Sequence, residues 1–197
     1  MRIVLASGSP RRKELLSNMG LEFEVIVSNE EEDMTQNVSY KTLAKILSRQ
    51  KAESVLKNIN DDCVVIGADT MVVRKGKKLG KPKNSDDARE MLKLISGGHH
   101  KVATGLCVFI KRNGVIKEYN ICSSTDVKIS KLSESDLDWY INTNEWCDKA
   151  GSYAIQGYFA KFIEKINGDY NTVVGLPCNI IYKILRKENL NYFKLRY

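Results

Sequence analysis

The sequence lacks the features that mark membrane-spanning or fibrous proteins. No apolar run approaches the ~20 residues that a membrane-spanning helix needs, which argues against a spanning protein. The chain has 197 residues, of which 43% are apolar and 28% charged, and it shows no internal repeat or low-complexity segment. This composition argues against disorder, collagen and coiled coil. The length suits one domain, or one domain with two lobes.

Paired cysteines are also missing. The five cysteines are odd in number, and none forms a Cys-x-x-Cys pair; they are Cys63, Cys107, Cys122, Cys147 and Cys178. A zinc site or a disulfide framework needs closer or even spacing, so we expect neither. Cys63 and Cys107 lie in apolar, strand-like runs, where a free cysteine behaves as a small buried hydrophobe. The cysteines therefore indicate a reducing, intracellular setting.

Acidic residues are absent from two basic segments. Residues 1–13, the N-terminal basic island, and residues 74–83, the hairpin basic island, contain Lys and Arg but no Asp or Glu. The formal net charge is +7, with 31 Lys+Arg against 24 Asp+Glu, so the remainder of the chain is slightly acidic. Two basic islands on an acidic body suggest a polyanionic ligand, either a nucleic-acid backbone or the phosphates of a small molecule.

Strand-like and helix-like patterns alternate along the chain. They predict strands at Ile3–Ala6, Phe23–Val27, Cys63–Gly67 and Phe162–Ile166, and hairpins joining Met71–Val73 to Leu79 and Val102–Ile110 to Val115–Val127. They predict helices from Pro10 to about Met19, from about Ser39 to Leu56, from Asn84-Ser85 through Ile95, from a capping-box pattern at Ser133-Glu134-Ser135-Asp136 through Ile141, and over Ile180–Leu185. Mixed elements with hairpins imply an α/β sheet that is partly antiparallel.

The first predicted helix begins with charges of the unexpected sign. Ser9 is a good N-cap and Pro10 a good first residue, but the first turn then carries Arg11, Arg12 and Lys13. A helix N-terminus favours acidic residues, because its own dipole is positive there. A multiply charged anion, held by backbone N–H groups and the arginines, would explain this arrangement. The alternative is that the three side chains extend into water.

A second chemical signal is the segment Gly67-Ala68-Asp69-Thr70. An acid just past the end of a buried strand lies where open α/β sheets place ligands. Asp69 could coordinate Mg²⁺ or accept a proton from water, although Asp-Thr could also merely begin a turn. Lys81, after the predicted hairpin, is a point charge suited to a phosphate, whereas the neighbouring basic residues are more typical of a solvated face.

These motifs together resemble the Maf family of nucleoside triphosphate pyrophosphatases, over about Ile3 to Leu185. The matching segments, read from this sequence, are Leu5-Ala6-Ser7-Gly8-Ser9-Pro10-Arg11-Arg12, Lys51-Ala52, Gly67-Ala68-Asp69-Thr70, Gly80-Lys81-Pro82, His100-x-Val102-x-Thr104-Gly105, Gly151-Ser152-Tyr153-x-Ile155-Gln156-Gly157, and Gly168-Asp169-Tyr170 through Gly175-Leu176-Pro177. Any one segment is weak evidence, but their order over this length is highly specific.

The resemblance implies a single Maf-like domain over residues 1–197, with an elongated, two-lobed, mixed α/β fold and a cleft, as in inosine triphosphatases. It implies a cytoplasmic, usually homodimeric enzyme that hydrolyses a nucleoside triphosphate to the monophosphate and pyrophosphate with Mg²⁺ or another divalent metal such as Mn²⁺. By the family pattern Asp69 is the catalytic acid residue. The resemblance also implies a phosphate-binding set: Ser7, Arg11, Arg12, Lys51 and Lys81.

Three further positions match the branch of the family that acts on dTTP and UTP, namely Arg12, Thr70 and Gln156. A uracil or thymine edge presents an N–H donor between two carbonyl acceptors. An amide such as that of Gln156 can both donate and accept, so we expect Gln156 to read the base.

One segment departs from the family pattern. The family commonly has Asp-x-Asp-Glu after the second strand, whereas this chain has Ser28-Asn29-Glu30-Glu31-Glu32. Counting back from Lys51, Glu31 is the best match for the site acid and, with Asp69, for a metal ligand. A neighbouring glutamate could serve instead, and a solvated charged loop is the alternative.

Two other functions stay open at this point. The basic islands could belong to a nucleic-acid-binding or cell-division regulatory module without hydrolase activity. However, the chain lacks a known nucleic-acid motif, and aromatic residues are not interleaved with its basic runs. The enzyme could also act on modified nucleotides rather than on dTTP or UTP.

Overall fold

The computed structural model describes residues 1–28, 30 and 33–190, and it shows a mixed seven-stranded sheet with flanking helices. The elements are β1 (Arg2–Leu5), α1 (Pro10–Asn18), β2 (Glu24–Val25), α2 (Tyr40–Leu56), β3 (Cys63–Arg74), β4 (Lys77–Leu79), α3 (Ser85–Ile95), β5 (His99–Arg112), β6 (Val115–Ile129), α4 (Glu134–Asn142), β7 (Ile163–Asn167), α5 (Tyr170–Val174) and α6 (Cys178–Lys187). Two short 3₁₀ helices cover Ala150–Ser152 and Tyr158–Phe162. None of the helices in the described part is long and apolar enough to cross a membrane.

The sheet is part parallel and part antiparallel, as the sequence predicts. The strand order is β2-β1-β3-β5-β6-β7, and β4 pairs with β3 off this path. Strand β1 is parallel to both β2 and β3, whereas the β3–β4 and β6–β7 pairs are antiparallel. The predicted mixed α/β fold class is therefore confirmed.

The chain divides into two compact units. The first comprises Met1–Asp69, Thr104–Ser123 and Gly175–Tyr197, and the second comprises Thr70–Ala103 and Ser124–Val174. In the first unit a buried core packs α2 against β1, β3 and β5; it includes Val4, Ala6, Ala52, Val55, Val65 and Phe109. The second unit has a buried core of its own; it includes Leu92, Ile95, Ile129, Tyr140, Phe159 and Phe162.

Helix α2 lies unusually close to the sheet. Its N-cap Ser39 accepts a hydrogen bond from the Thr42 backbone, and the small residues Ala44, Ser48 and Ala52 are buried. A Cβ atom at Gly67 on β3 would collide with the backbone oxygen of Ser48 and lie 2.8 Å from the Ala52 Cβ. Absence of a side chain at Gly67 thus permits the close approach of helix and strand.

Strand β3 differs from its prediction. The sequence suggests a strand that ends at Gly67 with Asp69 just beyond it, but β3 runs without a break from Cys63 to Arg74. The Asp-Thr pair does not begin a turn, because Asp69 is a buried strand residue with an ion-pair partner. A charged residue inside a strand is tolerated when its charge is paired.

Other differences are smaller. Strand β2 has only two residues instead of the five predicted at Phe23–Val27, since it lies at the sheet edge and its side chains are exposed. Both 3₁₀ helices and α5 were not predicted, because segments of three to five residues carry too little periodicity. The hairpin turn at Asn113 and Gly114 is confirmed, and both residues have positive φ, 50° and 78°.

Candidate active site

The N-terminal basic island contains β1, the turn that follows it and the first turn of α1. Ser7 is buried there, and its hydroxyl oxygen accepts hydrogen bonds from Arg12 Nη1 at 3.0 Å and from the Ser9 backbone N–H at 3.3 Å. Ser9 occupies the N-cap position, as predicted, but its side chain makes no capping hydrogen bond. The first turn of α1 also contains no acidic residue. The helix start therefore keeps its positive character, which suits an anion.

Arg12 is held from a second direction. Its Nε donates to the backbone oxygen of Gly175 at 2.8 Å, far along the chain. Contacts at Nε and Nη1 together fix the plane and the position of the guanidinium beside the helix start. The neighbouring Arg11 is half-buried. Sequence reasoning treated Gly175 only as part of a family motif and did not anticipate this hydrogen bond to Arg12.

Lys51 and Asp69 form a largely buried ion pair. The Lys51 Nζ lies 2.5 Å from Asp69 Oδ1, and the two side chains are 12% and 6% exposed. Lys51 lies on α2 between Ser48 and Ala52, the residues that pack on Gly67. The close packing of α2 on β3 thus brings the ammonium group to the carboxylate.

Arg12 and the Lys51–Asp69 ion pair both lie at the carboxyl end of β1, within the first unit. The backbone N–H of Ala6 donates to Ile66 O at 2.8 Å, so the parallel pairing extends one residue past β1. The chain then leaves the sheet at Ser7, while β3 continues to Asp69. Ligands of open α/β sheets bind beyond the carboxyl ends of strands, and this edge carries Arg12, Lys51 and Asp69.

The predicted acidic site residue cannot be placed in the same way. Glu31 and Glu32 lie outside the described residues, whereas Glu30 is exposed. The chain that leads into them contacts α2, because Ser28 Oγ lies 2.9 Å from Ser54 Oγ and Ser54 Oγ donates to the Lys51 backbone oxygen. Over the described ranges, no group of three or more His, Cys, Asp or Glu is arranged to hold a metal.

The remaining predicted site residues belong to the second unit. Thr70 is half-buried on β3, and Lys81 and Gln156 are exposed. The backbone oxygen of Gly80, next to Lys81, accepts a hydrogen bond from the Gly151 N–H at 3.0 Å. The segment that carries Lys81 is therefore joined through its backbone to the 3₁₀ helix that precedes Gln156.

Arg74 corrects the description of the hairpin basic island as a solvated face. Its guanidinium donates to the backbone oxygens of Leu94 and His99, so it supports the connection between α3 and β5. Lys75 and Lys77 at the hairpin turn are exposed, as the sequence suggests. The basic island is thus part structural and part surface charge.

His100 has a structural environment. It is 2% exposed, and its Nε2 lies 2.8 Å from the hydroxyl of Tyr153. Burial lowers the pKa of His100 to about 4, and the charge of Arg74 adds to the effect. Its contact with Tyr153 had no detectable signal in the sequence.

The mixed sheet, the cationic helix start and the buried Lys51–Asp69 pair define an α/β protein with a candidate site for an anionic substrate. The family model described as Maf-like protein matches residues 2–188. The chain belongs to the Maf-like protein family.

Curated relatives match the chain over nearly its whole length. A dTTP/UTP pyrophosphatase from Thermoanaerobacter sp. (strain X514) is 48% identical over 188 residues, which is 95% of this chain and 97% of the relative. A dTTP/UTP pyrophosphatase from Lachnoclostridium phytofermentans is 44% identical, with 98% of each chain covered. A solved nucleoside-triphosphatase / dITP/XTP pyrophosphatase from Mycobacterium abscessus aligns with 96% of this chain and 97% of its own at a TM-score of 0.41 and 14% identity.

Proposed function

We propose that this protein is a nucleoside triphosphate pyrophosphatase that hydrolyses dTTP and UTP, or modified pyrimidine nucleotides, to the monophosphate and pyrophosphate. The observation that carries the proposal is the placement of Arg12, Lys51 and the buried Asp69 at the carboxyl end of β1. The names of the full-length relatives support the same reaction and the same substrates.

Phosphate binding is assigned to the basic residues of the site. A triphosphate brings about four negative charges, and stabilising charge on the leaving pyrophosphate is the main demand of phosphoryl chemistry. That charge would be neutralised by four basic side chains, those of Arg11, Arg12, Lys51 and Lys81. The hydroxyl of Ser7 already accepts two hydrogen bonds, so its own proton is what it can offer to a phosphate oxygen.

Hydrolysis requires a water molecule to attack the α-phosphorus. The bond between the α-phosphorus and the oxygen that bridges to the β-phosphate breaks, and pyrophosphate leaves with that oxygen. The proton of the water passes to a carboxylate, for which Asp69 is the buried candidate. Lys51 contacts one oxygen of Asp69, and this contact orients the carboxylate so that its other oxygen can accept the proton.

A divalent metal fits the same residues. Carboxylate oxygens are the ligands that Mg²⁺ prefers, and Mg²⁺ usually takes one or two of them together with substrate phosphates and water. Asp69 would supply one such ligand, and we propose Glu31 for the second. When bound, Mg²⁺ or Mn²⁺ would neutralise phosphate charge; Asp69 serves either as its ligand or as the proton acceptor.

We further propose that the protein is a cytoplasmic homodimer.

Base recognition is assigned to Gln156, with Arg12 and Thr70 as the other positions of the dTTP and UTP branch. Replacing Gln156 with Glu removes the amide donor while keeping the length of the side chain. We expect the preference for dTTP over GTP to fall in Gln156→Glu, measured as the ratio of turnover rates. An unchanged preference would show that Gln156 does not read the base.

A panel of triphosphates tests the function directly. Pyrophosphate release should be measured with Mg²⁺ for dTTP, UTP, the other common nucleotides and modified pyrimidine nucleotides. Release that is fastest from dTTP and UTP is the expected result, and faster release from a modified pyrimidine would define it as the substrate. Release from none of them would favour the nucleic-acid-binding or regulatory module.

A further inference from the structure

The segment around Gln156 is held by side-chain polar groups on both sides, although Gln156 itself is exposed. We define residues 153–159 as the Gln156 loop. The role of the contacts that hold this loop rests on the proposed function, in which Gln156 reads the base.

The side of the loop before Gln156 is anchored to α4. The backbone N–H of Ala154 donates to the hydroxyl of Tyr140, with 3.3 Å between the nitrogen and the oxygen. Tyr140 is 1% exposed, and its ring packs edge to face on Phe159 at 4.8 Å between centroids. The adjacent Tyr153 is also buried and contacts His100 through its hydroxyl. The backbone here is therefore tied to two rigid elements, α4 and β5.

The side of the loop after Gln156 is anchored by one carboxylate. Glu145 accepts hydrogen bonds from the backbone N–H groups of Tyr158 at 2.8 Å and Phe159 at 3.2 Å, using one carboxylate oxygen for each. Gly157 has a φ of 136°, and a Cβ atom there would collide with the Glu145 carboxylate. Both the positive φ and the close approach of the Glu145 carboxylate therefore require glycine at position 157.

Tyr140 and Glu145 come from the same part of the chain, namely the end of α4 and the turn that follows it. Glu145 follows α4, and its own backbone N–H donates to Thr143 Oγ1 at 3.2 Å, which fixes the turn. Burial raises the pKa of Tyr140, and the neighbouring Glu145 raises it further through its charge and a hydrogen bond. The end of α4 thus contacts the backbone on both sides of Gln156.

This arrangement bears on how an amide can select a base. Uracil presents an N–H donor beside a carbonyl acceptor, and cytosine presents the reverse pair. An amide that turns by half a rotation offers its oxygen and nitrogen in exchanged places, so a mobile glutamine could pair with either base. A fixed backbone does not stop that rotation, but it holds the amide at one distance and direction from the base, which selection by Gln156 requires.

We propose that Tyr140 and Glu145 are positioning residues that hold the Gln156 loop, so that Gln156 selects uracil and thymine over cytosine. They act through the backbone of the loop and need no contact with the substrate. The nucleotide they favour is one whose base carries an N–H between two carbonyl groups.

Two variants test this proposal. Tyr140→Phe removes the acceptor for Ala154, and Glu145→Gln replaces one of the two carboxylate oxygens with a group that cannot accept. Tyr119→Phe is the matched control, because the Tyr119 hydroxyl also contacts a carboxylate, Glu188, but lies in the first unit. Amide hydrogen exchange and kcat/KM for UTP and for CTP should be measured for each protein.

We expect faster exchange at Ala154 in Tyr140→Phe and at Tyr158 or Phe159, whichever loses its acceptor, in Glu145→Gln. We expect the UTP-to-CTP ratio of kcat/KM to fall about tenfold in both, because a misplaced polar group loses discrimination of at least this size. Tyr119→Phe should leave both readouts unchanged. In a Gln156→Ala background, Tyr140→Phe should lower the ratio no further.

The outcomes are separable. Unchanged exchange in both variants, or an unchanged ratio in an active enzyme, overturns the positioning role while the proposed function stands. If the wild-type protein hydrolyses neither UTP nor CTP and no other triphosphate, the proposed function fails, and the role in base selection is overturned with it.

Discussion

At the scale of single residues, Arg12 shows how contacts within the chain hold a residue of the proposed site in place. Its Nε and Nη1 are fixed by Gly175 and Ser7, which belong to segments far apart in the chain. A side chain already held in place loses less conformational entropy when it binds an anion. The position of the guanidinium, and not only its charge, is therefore part of the proposed site.

The Arg12→Lys variant separates position from charge. A lysine keeps the positive charge but cannot reproduce the planar pair of hydrogen bonds. We expect kcat/KM for dTTP to fall by about tenfold to a hundredfold, equivalent to the loss of one or two charged hydrogen bonds. Arg112→Lys, at an exposed position of β5, is the control and should retain wild-type activity. Equal activities would show that only charge matters at Arg12.

At the scale of elements, the packing of α2 on β3 decides where Lys51 lies. The contact depends on Gly67, whose missing side chain admits the helix backbone at Ser48. Because the nearest atom is a backbone oxygen, no side-chain rearrangement can make room for a methyl group.

The Gly67→Ala variant tests this packing. We expect it to lower the free energy of unfolding by about 1–3 kcal/mol, the usual cost of overpacking a core. Ala52→Gly in the same chain should not restore the loss, because the backbone of α2 still blocks the methyl group. Gly8→Ala is the control, since a Cβ there has only ordinary contacts with Val27 at 3.5 Å or more. Denaturant unfolding measures all three, and wild-type stability of Gly67→Ala would contradict the packing argument.

The sequence predicts the elements better than it predicts what lies inside them. The hairpin at Asn113 and the capping box at Ser133 appear as expected, because their signals are local. The sequence prediction placed Asp69 outside its strand, because the sequence alone does not show that Lys51 on α2 neutralises the carboxylate. The hydrogen bond from Arg12 to Gly175 escaped prediction for the same reason, since its partners are distant in sequence.

At the scale of the whole molecule, the excess positive charge has several roles. Arg12 and Lys51 contribute to the candidate site, Arg74 supports backbone oxygens, and Lys75 and Lys77 remain on the surface. The net charge of +7 therefore does not describe one basic face. Similarity over residues 2–188 to the family model agrees with the order of motifs in the sequence.

Global stability should depend on pH through His100. Burial lowers its pKa to about 4, from an ordinary value of 6.5, with Arg74 and His99 adding to the shift and Asp126 opposing it. Between these two pH values the unfolded chain binds the proton more readily, so stability is lost as the pH falls from about 6.5 towards 4. The loss contributed by this one group should approach about 3 kcal/mol.

Denaturant unfolding at pH 7.5 and pH 5 measures this effect. We expect His100→Gln to lose less stability between these pH values than the wild-type protein does. His99→Gln removes an exposed histidine and should behave like the wild type. An identical pH dependence in all three proteins would contradict the role of His100.

Pyrophosphate release from dTTP by the wild-type protein and by Asp69→Asn tests the account most directly. Asparagine keeps the shape of the side chain and can still accept a hydrogen bond from Lys51, but it can neither take a proton from water nor hold a metal as a carboxylate does. We predict release by the wild-type protein and a fall in kcat of at least about a hundredfold in Asp69→Asn, with the fold retained. Near wild-type turnover by a folded Asp69→Asn variant would contradict the proposed site.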